Sequence, residues 1–153
     1  YGNNMATINL ERAAPVDAEL YYRLEQTVAG QKTYSTFTDV EKIKKKLTEN
    51  IVYFIELSNE YVGAVEYEFP ESNHAYISGL FVDPKYQKQG IAKQVMNLIL
   101  EELKGVQKID LVVHPENIAA VHLYQSLGFV HGERKENYFG DGEPRITMAL
   151  VKR

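Results

Sequence analysis

The sequence predicts an α/β (α+β) fold on a mixed sheet. Three observations carry it. Seven strand-like and four helix-like segments follow one another in the order β-α-α-β-β-β-α-β-α-β-β. The clearest helix, Gly90 to Lys104, repeats Ile91, Val95, Ile99 and Leu103 on one face. Directly after it, Ile109 to Val113 is an almost unbroken apolar run, as expected of a buried, parallel strand.

The elements can be justified in order. Ile8 to Arg12 reads as a first strand. Pro15 marks a helix start, with Val16, Leu20 and Leu24 on one stripe, and Gly30 to Thr36 reads as a loop. Asp39 to Leu47 reads as a basic amphipathic helix with Val40, Ile43 and Leu47 inward. Ile51–Leu57 and Tyr61–Phe69 form a hairpin around Ser58-Asn59-Glu60, and Pro70 is expected to end the second strand. Ala75 to Val82 is a strand stopped by Asp83-Pro84. Gly105 is expected to cap the long helix. Pro115 stops the strand at Val113, and Asn117 to Leu127 is a helix with Ala120, Leu123, Tyr124 and Leu127 on one face and Gly128 as its cap. Two final strands start at Phe129 and at Arg145.

With 153 residues, 44% hydrophobic and 25% charged, the chain is expected to be one domain over residues 5–153. Met5 is expected to be the start, with Tyr1 to Asn4 a leftover ahead of it. Seventeen basic against 21 acidic residues give a net charge of −4, which argues against a broad nucleic-acid face. The absence of cysteine excludes disulfides, cysteine-ligated metals and a thiol nucleophile. His122 and His131 have no metal-site spacing, so no metal is expected. No apolar run reaches membrane-span length and no secretory signal is visible, so the expected location is cytoplasmic, away from membranes.

Chemistry concentrates in Leu80 to Ala92. A strand ends, a proline turn follows, and a polar loop enters a helix at Gly90. A helix N-terminus offers unpaired N–H groups and a partial positive charge, a seat for phosphate. Gly90 lets a phosphate approach the backbone, or serves packing; Ala92 stays small; Lys88 and Lys93 add positive charge. The loop is neither a P-loop nor a dinucleotide fingerprint.

Gln87-x-x-Gly90-x-Ala92 resembles the pyrophosphate loop of the GNAT superfamily of N-acetyltransferases, Gln/Arg-x-x-Gly-x-Gly/Ala. Downstream, Asn117-x-x-Ala120-x-x-x-Tyr124-x-x-x-Gly128-Phe129 resembles the same family's Asn-x-x-Ala-x-x-x-Tyr-x-x-x-Gly-Phe helix. The resemblance covers Tyr61 to Leu150; the first sixty residues share only the order of elements. It implies a mostly antiparallel sheet whose strands splay at the site of acetyl-CoA. Leu80, Phe81 and Val82 would pair their backbone with pantetheine, as an added strand does. Gln87, Lys88, Gln89, Gly90, Ile91, Ala92 and Lys93 would hold the pyrophosphate. Asn117 would bond pantetheine, cap its helix, or both. Tyr124 would protonate the leaving thiolate; read from spacing alone it is core packing.

The implied reaction is direct attack of a primary amine on the thioester, the oxyanion held by the Val82 N–H. The acceptor would be a small amine, a protein N-terminus or a lysine. An alkylamine has a pKa of about 10.4, so its proton must be taken. Relatives carry a glutamate on the strand before Val82, where this chain has Ile77-Ser78-Gly79. Other relatives place Glu or His twelve residues before the tyrosine, here Val112, with His114 two further on. His114, Glu66, Glu68, Tyr76 and water alone remain candidates. Arg134 to Glu143 resembles the loop with which protein N-terminal acetyltransferases, among them those of ribosomal-protein alanine, grip a peptide. Tyr138 and Phe139 would do so here, beside the simpler reading of a hairpin turn at Asp141-Gly142. Lys42, Lys44, Lys45 and Lys46 form a basic cluster, read as a solvated face. The family also admits homodimers through C-terminal strands. The alternative function is a non-catalytic acyl-CoA sensor or scaffold.

Overall fold

The structure, a computed structural model, describes residues 7–36 and 39–152. The expected leftover and start, Tyr1 to Met5, lie outside the described residues. The strands are β1 (Ile8–Arg12), β2 (Ile51–Leu57), β3 (Glu60–Glu71), β4 (His74–Val82), β5 (Lys108–Val113), β6 (Val130–Lys135) and β7 (Arg145–Val151). The helices are α1 (Ala18–Glu25), α2 (Val40–Glu49), α3 (Ile91–Glu102) and α4 (Ile118–Ser126). Short 3-10 turns occupy Pro15–Asp17 and Pro84–Tyr86.

All seven strands join in one sheet, ordered β1-β2-β3-β4-β5-β7-β6. Only β4 and β5 run parallel, and α3 makes the crossover that a parallel pair requires. The sheet separates two cores. On one face Ile91, Val95, Met96 and Ile99 of α3 are buried with Ile77, Ile109, Leu111 and Tyr124. Each of these aliphatic side chains gains about 1.5–3 kcal/mol from burial. On the other face Tyr21 of α1 and Ile43 and Leu47 of α2 close over Val52, Phe54, Ala64 and Phe81.

Several boundaries differ from expectation, each for a local reason. Val16 is 89% exposed because it lies in the 3-10 turn rather than in α1, whose buried residues are Ala18, Tyr21 and Glu25. Leu20 and Leu24 are half-buried at its flank. Pro70 does not end β3, which runs on to pair Glu71 with His74; the register shifts between Glu68 and Glu71, so no ladder N–H is needed at the proline. Gly105 does not take a positive φ and is no left-handed cap. Instead, the Lys152 ammonium donates to the carbonyls of Leu103 (3.0 Å) and Lys104 (2.8 Å) at the end of α3. Lys46 leaves the basic cluster altogether and turns inward to Glu66.

Candidate active site

The site begins where the parallel pairing stops. β4 and β5 pair from His74–Lys108 to Ile77–Leu111 and no further. Beyond Ile77, β4 continues to Val82 along β3 alone, while β5 continues to Val113 along β7. The expected splay is therefore present. A bulge accompanies it: Tyr67 opposes Ile77 and Glu66 opposes Gly79, leaving Ser78 as the extra residue.

Past the bulge, the Asp83 N–H donates to Val62 O (2.8 Å), which sets the hydrogen-bonded rungs at 83, 81 and 79. The N–H groups of Leu80 and Val82 consequently face the gap. The backbone of Phe81 points to Ala64 instead, so the expectation that it too pairs with a ligand is corrected; its ring lines the cavities on either side.

A groove of about 330 Å³ runs along this gap to the start of α3. Leu80, Phe81, Val82, Gln87, Lys88, Gly90, Ile91, Ala92, Lys93, Asn117 and Tyr124 all line it; Gln89 is exposed and does not. Gly90 is the N-cap of α3 at φ +78°, in the left-handed region that a side chain strains. The Gln87 side-chain amide donates to Val82 O (2.8 Å) and ties the loop to the strand end. Asn117 caps α4, its Oδ1 accepting from the Ala120 N–H (3.2 Å).

A second cavity, of about 390 Å³, opens on the far side of β4. The two share Tyr34, Leu80, Phe81, Asn117, Ala120 and Tyr124, which form the wall between them. Tyr124 is 7% exposed in that wall, and burial, then the Tyr34 phenol, pushes its pKa well up, keeping it protonated. Tyr34 comes from the loop after α1, which the sequence marked only as a loop. Burial raises its pKa, and hydrogen bonds to Asn117 and Gln87 oppose the rise. An aromatic residue amid Gln, Lys, Thr and Ser was the available signal.

The four buried acidic and basic residues among those described, Glu25, Glu66, His114 and Arg145, all line this second cavity. Glu66 Oε1 accepts from Lys46 Nζ (2.9 Å) and from the Tyr21 hydroxyl (3.2 Å). Burial, then the charges of Glu66 and Glu25, push Tyr21 well above its ordinary pKa. His114 accepts the Glu116 N–H at Nδ1 (3.0 Å) and donates from Nε2 to Glu143 (2.7 Å), so both ring nitrogens are engaged. Tyr76 is half-buried, and burial followed by the Tyr138 hydroxyl raises its pKa strongly. Glu68 lines neither cavity. Tyr138 and Phe139 sit in the β6–β7 connection, where Phe139 lines the cavity under the Arg145 guanidinium (5.1 Å).

The acetyltransferase (GNAT) family model matches residues 18–129. The chain belongs to the GNAT family. Its curated relatives include the ribosomal protein bS18-alanine N-acetyltransferase of Escherichia coli, 39% identical over 83 residues, covering 51% of this chain and 56% of that protein. They also include the spermidine N(1)-acetyltransferase of Escherichia coli, 32% identical over 105 residues, covering 64% and 55%. The chain thus spans about half the length of the curated relatives it matches. An acetyltransferase from Thermus thermophilus shares the GNAT fold with a TM-score of 0.77 at 21% identity, over 97% of this chain and 99% of that one. Among the described residues no side-chain group could hold a metal, and no helix is long and apolar enough to cross a membrane.

Proposed function

We propose that this GNAT chain transfers an acetyl group from acetyl-CoA to a primary amine by direct attack on the thioester. One observation carries the reading: two cavities, one reaching the N-terminus of α3 and one lined by buried charge, lie side by side with Tyr124 in the wall of both. A sensor of acyl-CoA needs only the first. The second gives the acceptor its own entrance.

In this reading the amides of Lys88 to Lys93 seat the pyrophosphate on the positive end of α3. Leu80 and Val82 hydrogen-bond the pantetheine along the open edge of β4, bringing the thioester to Tyr124. The amine nitrogen attacks the carbonyl carbon, and the Val82 N–H stabilises the oxyanion. As the C–S bond breaks, Tyr124 gives its phenolic proton to sulfur and recovers one from the nitrogen. The acceptor is a small amine, a protein N-terminus or a lysine; the names of the two relatives give a protein alanine and a polyamine.

Isothermal titration with acetyl-CoA tests the donor half, with Gly90→Glu as control. The expected result is micromolar binding that the variant loses, because a carboxylate and a strained φ both oppose a phosphate there. Turnover of an amine panel then tests transfer. A folded protein that neither binds acetyl-CoA nor acetylates any amine overturns the reading.

A further inference from the structure

β4 carries no carboxylate of its own, yet one reaches its bulge. Glu66 lies opposite Gly79 across the bulge, and a Cβ built on Gly79 would stand 2.7 Å from Glu66 Oε1. Gly79 does not adopt a positive φ, so its backbone suits any residue. What position 79 lacks is room, and the carboxylate of Glu66 occupies it. Next to it, Ser78 Oγ is enclosed without a hydrogen-bond partner among the described residues, on the wall of the same cavity.

We infer that Glu66, delivered from β3 over Gly79, takes the proton of the acceptor ammonium, with Ser78 Oγ holding the amine or an intervening water. The inference rests on the acetyl-transfer reading of this cleft. The rival groups are each disqualified by geometry. Both ring nitrogens of His114 are engaged, Tyr76 bonds Tyr138, and Glu68 lies outside both cavities. Glu66 is 4% exposed, lines the acceptor cavity, and is held by Lys46 of α2, Asn50 at the C-cap of α2 and Tyr21 of α1. Oε1 carries the Lys46 and Tyr21 contacts, while Oε2 has a single long one, from Asn50 at 3.5 Å. A lone pair on Oε2 therefore remains for the incoming proton.

The protons balance. The ammonium gives one proton to Glu66, which later releases it to solvent. The freed lone pair forms the C–N bond. Collapse breaks the C–S bond, the thiolate takes the Tyr124 proton, and the tyrosinate takes the second nitrogen proton. The charged and titratable groups around Glu66 are Tyr21 and Glu25 of α1, Lys46 of α2 and Tyr76 of β4, together with Glu68 on its own strand.

The test is the pH profile of kcat/KM for two acceptors, an alkylamine with pKa of about 10.4 and an α-amine with pKa of about 8. In the wild-type protein the acid limb should fall at the same pH for both, because one protein group sets it. In Glu66→Gln, kcat should drop about 100-fold, and the limb should shift to follow each amine's own pKa. Acetyl-CoA affinity should stay within about threefold, which also reports a folded protein. Gly79→Ala, which displaces the carboxylate from the other side, should lower kcat about tenfold without weakening acetyl-CoA. The relocated carboxylate of E66A/G79E should recover part of the loss in E66A. If Glu66→Gln retains kcat and an amine-independent limb, the inference is overturned. If Glu66→Gln fails to fold, an unchanged Gly79→Ala overturns it. A wild-type protein that binds acetyl-CoA but turns over no amine defeats the transfer reading itself, and the inference with it.

Discussion

Ile77 faces Leu111 across the last parallel rung between β4 and β5, and the next residues of β4 have lost that neighbour. The open edge this creates is specific in its alternation. Leu80 turns its N–H to the gap, and Phe81 turns its own to Ala64. Leu80→Pro should therefore remove a donor from the groove without breaking a ladder bond, and weaken acetyl-CoA about tenfold, the worth of one well-placed hydrogen bond. Phe81→Pro removes a ladder bond and should instead lower the urea midpoint. Titration and denaturation of the pair check the assignment; similar behaviour of both would refute it.

Tyr124 is buried between the two cavities with its proton held by burial. Tyr124→Phe keeps the ring contact with Phe129 and loses only the hydroxyl. Its expected signature is a kcat lowered about 100-fold or more with acetyl-CoA affinity nearly unchanged. Single-turnover kinetics against titration separate the two. Equal losses in binding and rate would make Tyr124 a packing residue.

His114 and Glu143 pin the β6–β7 connection to the end of β5, 2.7 Å apart, with the imidazole wholly buried. Breaking such a contact leaves a buried donor unpaired, a loss of about 1–3 kcal/mol. Glu143→Leu should thus speed amide exchange across Asn137 to Glu143 and raise the acceptor KM several-fold, because Phe139 and Arg145 of the same region line the acceptor cavity. The KM for acetyl-CoA should not move, as neither residue touches its groove. Steady-state kinetics with each substrate varied in turn decide it.

The donor half of this protein was far more legible in sequence than the acceptor half. Local rules write the former: a strand, a proline turn, Gly90 at a helix N-cap and Asn117 at another are nearest-neighbour signals, and their residues line one groove. The second cavity is assembled from α1, α2, α4, four strands and the loops between them, brought together only by the sheet. Nothing near Glu66 in sequence announces that its partners are Tyr21 and Lys46, which lie 45 and 20 residues away. Lys46 therefore read as one more solvated lysine, and Tyr34 as loop. The strand errors share that origin. Pro70 breaks an isolated strand but not one that bulges against a partner, and Gly105 lost its capping role to Lys152, 47 residues on.

Among the phenols whose pKa values burial raises in the folded chain are Tyr21 and Tyr124, the first raised also by the charges of Glu66 and Glu25. In the unfolded chain both titrate near the ordinary value of about 10. Below that pH both states hold the protons, and stability does not change with pH through either phenol. Above it the unfolded chain releases protons that the folded chain retains, so unfolding is favoured as pH rises. Each retained proton steepens the loss by about 1.4 kcal/mol per pH unit. The stabilisation is thus intact below about pH 10 and declines beyond it. Urea midpoints taken between about pH 8 and pH 11 should fall along this slope, and Tyr124→Phe should make it shallower by one proton. If the variant's slope equals that of the wild-type protein, Tyr124 ionises as readily folded as unfolded. A phenol that did so would not be held protonated by burial in the wall of the two cavities.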